Sequence, residues 1–103
     1  MPGYAQKEFT AVVSQTAAGS VTIASAPAAG KKIVVTGMGL VANGACTLKF
    51  TSGSDVTGVM SLAANAVVAP NPARIDGADG QAMSLTTVTS FVNGWVNYII
   101  APA

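Results

Sequence analysis

Residues 45–52 read Ala45-Cys46-Thr47-Leu48-Lys49-Phe50-Thr51-Ser52. Cys46, Leu48 and Phe50 fall on one parity and Thr47, Lys49 and Thr51 on the other, the period of two that places one face of a β-strand in a core. The same alternation appears on either side. In residues 7–15, Phe9, Ala11 and Val13 oppose Glu8 and Thr10, and in residues 20–25, Val21 and Ile23 oppose Thr22 and Ala24. Residues 33–42 form a long apolar run with Gly37 and Gly39 inside it, which signals a bulge, a bend or a place where another backbone approaches closely. Asn43-Gly44, between that run and residues 45–52, is the strongest hairpin signal in the chain.

Farther along, Ser52-Gly53-Ser54-Asp55 reads as a turn. A fifth strand is predicted over residues 56–62, with Val56, Met60 and Leu62 on one face. A short apolar run at 66–69 stops at Pro70-Asn71-Pro72, because proline withholds a ladder donor. Residues 74–81, with Asp76-Gly77 and Asp79-Gly80, read as a loop of successive turns. The last two strands are predicted at 82–88 and 91–100. The final one carries Val92, Val96, Tyr98 and Ile100 on one face and Trp95 and Ile99 on the other, which predicts a central strand or one covered by a partner. About eight short strands with no helical period predict an all-β fold, a two-sheet antiparallel β-sandwich of jelly-roll type. An immunoglobulin-like sandwich fits less well, since the paired cysteines around a buried tryptophan are missing and Trp95 lies in the last strand.

The 103 residues make one domain, 1–103, with short flexible arms expected at 1–6 and 101–103. Half the residues are hydrophobic and mean hydropathy is +0.52, yet only 9% are charged, against about 25% in an ordinary soluble domain. A formal charge of +1 leaves nothing to attract a phosphate backbone or an anionic membrane. No nucleic-acid or membrane partner is therefore expected. The absence of histidine and the single cysteine remove the commonest acid-base, zinc and Cys-His participants. The N-terminal residues carry no export signal, so synthesis in a cytoplasm is expected. No run approaches the roughly 20 apolar residues of a membrane helix.

Each chemically suggestive motif has a simpler reading. Asp76-Gly77-Ala78-Asp79-Gly80 lacks the alternating oxygen ligands and late glutamate of a calcium loop and reads as two tight turns. Lys31-Lys32 is solvated charge at a strand entrance. Cys46 is in phase with Leu48 and Phe50, hence a small core residue with no base to activate it. Gly37 and Gly39 lack the third glycine and the helix of a dinucleotide fingerprint. Trp95 and Tyr98 read as core or subunit-interface anchors, with a sugar-stacking platform as the alternative. No catalytic, cofactor-binding or metal-binding residue is assigned. An enzyme would have to draw on Asp55, Asp76, Asp79, Glu8 or hydroxyl groups alone.

Four segments, taken in order, resemble small structural proteins of tailed-bacteriophage particles. They are Ala29-Gly30-Lys31-Lys32-Ile33-Val34-Val35, the run Gly44 through Ser54 with Cys46-Thr47-Leu48-Lys49-Phe50 at its centre, Thr57-Gly58-Val59-Met60-Ser61-Leu62-Ala63-Ala64-Asn65, and Gly80-Gln81-Ala82-Met83-Ser84-Leu85. The resemblance covers roughly residues 20–100, and none of the segments is a catalytic signature. It implies a capsid decoration or cement protein, or a head-fibre subunit: a β-sandwich that forms a homotrimer on the virion surface and contacts the major capsid protein. Two loops depart from the pattern. Pro72-Ala73-Arg74-Ile75-Asp76-Gly77 replaces an aromatic-rich stretch, and Phe91-Val92-Asn93-Gly94 replaces a small-polar turn. A recognition module that binds host-surface glycan from a head or tail fibre is the alternative expectation.

The sparse charge is also unevenly spread. All nine charged residues lie in the first strand, the turns, the strand at 45–52, the Lys31-Lys32 entrance or the 74–79 loop. The strands they avoid would need more charge to stay soluble alone, so sister subunits are expected to cover them.

Overall fold

A computed structural model describes residues 7–103 of the chain. The arm expected at 1–6 lies outside the described residues. Ten β-segments follow one another: β1 (Phe9–Ser14), β2 (Gly19–Ala24), β3 (Lys31–Ala42), β4 (Cys46–Ser52), β5 (Ser54–Asp55), β6 (Met60–Leu62), β7 (Val67–Val68), β8 (Ile75–Asp76), β9 (Met83–Val88) and β10 (Val92–Pro102). They build two antiparallel sheets. Sheet A runs β1-β10-β3-β7, with β8 also on β3; sheet B runs β2-β9-β4-β5, with β6 also on β4. The pairing is nested: first strand with last, second with second-last, and so inward to the β4–β5 turn at Gly53, whose φ is +77°. Consecutive strands from β1 to β4 therefore alternate between the two sheets.

The alternation read from sequence sets what each strand buries. Val13, Ile23, Ile33, Val35, Met38, Leu40, Cys46, Leu48, Phe50, Met83, Leu85, Val92 and Val96 form one core between the sheets. Cys46 lies in this core with a free thiol. β10 is central, between β1 and β3, which explains a strand apolar on both faces. Tyr98 points to the core side and stacks on Phe9, with ring centroids 5.2 Å apart.

Four local expectations are corrected. Asn43-Gly44 does not close a hairpin, because β3 and β4 belong to different sheets. The Asn43 N–H donates to the Phe91 carbonyl (2.9 Å), and the segment carries the chain from one layer to the other beside the β9–β10 turn. The strand expected at 56–62 is broken. The Val56 N–H bonds the Phe50 carbonyl (3.0 Å) and the Thr57 hydroxyl accepts the Phe50 N–H (3.0 Å), so a side chain occupies a ladder position and pairing resumes only at Met60. Within the 74–81 loop, Ile75 and Asp76 pair with Val35 and Val34 as β8. The C-terminal arm expected at 101–103 is also tied down: β10 reaches Pro102, and the Ala103 N–H donates to the Gly30 carbonyl (2.9 Å).

Gly37 and Gly39 mark the irregularity their positions suggest. The β3–β10 register shifts opposite Asn97 and Tyr98. The Asn71 side chain covers Gly37, and the Trp95 indole covers Gly39. Gly94 is required for a different reason. Its φ is +146°, and a Cβ there would run into the Gly39 carbonyl oxygen.

Candidate interaction surface

The outward faces of the two sheets differ in chemistry. On sheet B, Ser20, Thr86 and Lys49 lie in one cross-strand row, Thr22, Ser84, Thr51 and Asp55 in the next, and Val88, Thr47 and Ser61 in a third. The Ser20 and Thr86 hydroxyls are 2.8 Å apart, and Lys49 pairs with Asp55 at 3.2 Å. That face is hydroxyl-rich, with a solvated ion pair.

On sheet A, Val12, Trp95 and Gly39 form one row, and Ser14, Asn93, Val41 and Val67 form the next. Thr10, Asn97 and Gly37 make a third row, where the Thr10 hydroxyl donates to Asn97 Oδ1 at 2.7 Å. These rows hold no charged residue. They do hold exposed hydrophobics: Val12 is 78% exposed, Val67 66%, Val41 45% and Trp95 38%. A tryptophan and three valines left open side by side form a concentrated apolar patch for a chain this small.

Gly39 sets the pose of Trp95. With no Cβ beneath it, the indole lies against the β3 backbone. Asn93 and Asn97 flank it on the same face of β10. Tyr98 points the opposite way, so the sugar platform considered for Trp95 and Tyr98 is not one surface; only Trp95 is on the outer face.

Charge collects at the other end of sheet A. Asp76 binds Lys32 Nζ at 3.1 Å through Oδ2 and Arg74 Nε at 2.9 Å through Oδ1. The hydrogen bond from Lys32, reinforced by Arg74, holds the Asp76 carboxyl below its ordinary value. Asp79 accepts the Gly30 N–H at 2.7 Å. Both carboxylates of the suggestive 76–80 segment are thus engaged in holding that loop against the start of β3. Among the described residues no three His, Cys, Asp or Glu side chains gather into a metal cluster, and no cleft opens. Among the described residues no helix is long and apolar enough to cross a membrane.

One polar cluster carries no obvious signal in the sequence. Gln15 is buried beside Thr87. Its side-chain oxygen accepts the Thr87 hydroxyl (3.2 Å) and the Val92 N–H (3.1 Å), and its amide nitrogen donates to the Gly19 carbonyl (3.1 Å). It staples the β1–β2 turn to the β9–β10 turn. Every partner is satisfied internally, so the cluster is architectural. No protein-family model, curated protein or solved structure matches the chain.

Proposed function

We propose that this protein is a non-enzymatic structural component of a phage virion, a decoration or cement protein that binds the capsid exterior as a homo-oligomer and stabilises capsomer contacts. One observation carries the reading: three uncharged rows on the outer face of sheet A, where Val12, Trp95, Val41 and Val67 stand exposed while the opposite face is lined with hydroxyls. Covering that patch recovers about 25 cal/mol per Å² of apolar surface before ordering costs are subtracted. A lattice that repeats one contact many times makes a modest gain per contact effective. We read the nested strand order as jelly-roll connectivity, in keeping with the two-sheet architecture that the resemblance to phage proteins implies.

Mixing the purified protein with undecorated capsids of the phage that encodes it tests the proposal. Saturable binding on the outside, seen by electron microscopy at a fixed position in the lattice, is expected. Capsids that stay bare, or density confined to a fibre tip, overturn it.

A second reading has its own observation. Trp95 lies flat with Asn93 and Asn97 beside it, an aromatic ring flanked by carboxamides, which suits the apolar face and hydroxyls of a sugar. Saturable glycan binding that Trp95→Ala abolishes would favour a fibre-borne recognition module.

A further inference from the structure

The sheets have four edges, and three are blunted. In sheet B, the register of β2 breaks between Thr22 and Ala24. The opposite edge consists of β5 and β6, two and three residues long, with Asp55 in its ion pair. In sheet A, the edge opposite β1 is split into the two-residue β7 and β8, with Pro70 and Pro72 between them and the Arg74–Asp76 pair beside them. Irregular register, short strands, prolines and charges are the features that discourage addition of a further strand. β1 has none of them. Its six residues, Phe9-Thr10-Ala11-Val12-Val13-Ser14, are uncharged and keep one unbroken register with β10.

The phase of that edge follows from the next residue. The Gln15 N–H points toward β10, donating to Asn93 Oδ1 at 2.8 Å. Successive residues of a strand turn their backbone groups to opposite sides. Thr10, Val12 and Ser14 therefore direct N–H and C=O to the open side, where no backbone group among the described residues meets them.

We propose that β1 pairs antiparallel with β1 of a second copy, about a two-fold axis at Val12. The inference rests on the homo-oligomer reading above and specifies where the copies meet. The occupant is a second copy because, among the described residues, no other edge is open to receive β1, and an isologous contact needs only one. To keep both apolar faces on the same side, outward residues must oppose outward residues, which sets Val12 against Val12 and Thr10 against Ser14. All six open-side backbone pairs of the two strands are then joined. Lys7 and Glu8 fall beyond the partner's Ser14, so no like charges meet. The two outer faces merge into one surface with two copies of Val12, Trp95, Val41 and Val67.

Sedimentation of the full chain tests this. The wild-type mass is expected to be an even multiple of the chain. Val12→Lys, and independently Thr10→Lys, are expected to halve it while the far-ultraviolet dichroism stays that of a folded β protein. Val67→Lys, on the opposite margin of the same face, is expected to leave an even multiple. An odd-numbered wild-type assembly overturns the edge pairing and leaves the homo-oligomer reading standing, as does an assembly that keeps its mass in both folded lysine variants. A wild-type monomer overturns both.

Discussion

The indole of Trp95 lies across Gly39 so closely that a Cβ at that position would stand 2.7 Å from two of its ring carbons. The missing side chain on β3 is what lets the one tryptophan lie flat on the outer face of sheet A. Gly39→Ala is expected to force the ring outward and to destabilise the fold by about 1–2 kcal/mol, within the cost of inserting a methyl into a filled site. In a Trp95→Ala background the sign should reverse, since alanine in a strand interior is favoured over glycine by about 0.5–1 kcal/mol. Urea unfolding of the four variants measures the coupling. Equal effects of Gly39→Ala with and without the indole would show that the ring does not depend on this glycine.

Gln15 and Thr87 hold together two turns that are far apart in sequence. Gln15→Leu leaves the buried Val92 N–H without its acceptor and is expected to cost about 1–3 kcal/mol. Thr87→Val keeps that bond and should cost less, about 1 kcal/mol. Chemical denaturation of both variants checks the order. The reverse order would place the essential bond at the threonine hydroxyl.

Asp76 is held below its ordinary value of 3.8 by the Lys32 hydrogen bond first and Arg74 second. The unfolded carboxyl then takes up a proton at higher pH than the folded one. Its contribution is complete above the ordinary value and is lost as pH falls from there through the lowered folded value. The site is solvent-facing, so the contribution at neutral pH is expected to be small, about 0.5 kcal/mol. Asp76→Asn should lower the melting temperature slightly at pH 7 and match wild type in strong acid. A gap that persists unchanged below pH 3 would assign the effect to something other than this charge.

Much of the sandwich was legible in the sequence because a period of two reports directly on burial. Cys46, Leu48 and Phe50 are buried as their spacing requires, and so are Val13, Ile23, Val92 and Val96. Asn43-Gly44 misled because an Asn-Gly pair reports a local preference for turning, whereas the partner of β3 is chosen by which strands share its sheet. The turn that does close a hairpin is at Gly53. Thr57 could not be read as a ladder substitute, since its hydroxyl resembles any other threonine until Phe50 is placed beside it. Gln15 and Thr87 were hidden for the same reason. As for the candidate surface, the sequence shows a last strand without charge that carries the tryptophan, but not which residues stand beside it. The companion residues Val12, Val41 and Val67 emerge only from strand register.

The most direct test of the central claim, that the capsid covers the outer face of sheet A, is the emission of Trp95 followed by fluorescence while undecorated capsids are titrated into the protein and the bound fraction is separated by sedimentation. Binding and a shift of emission to the blue should rise together, because the only tryptophan sits on the face to be covered. Bound protein with unshifted emission, or no binding at saturating capsid, would contradict the account.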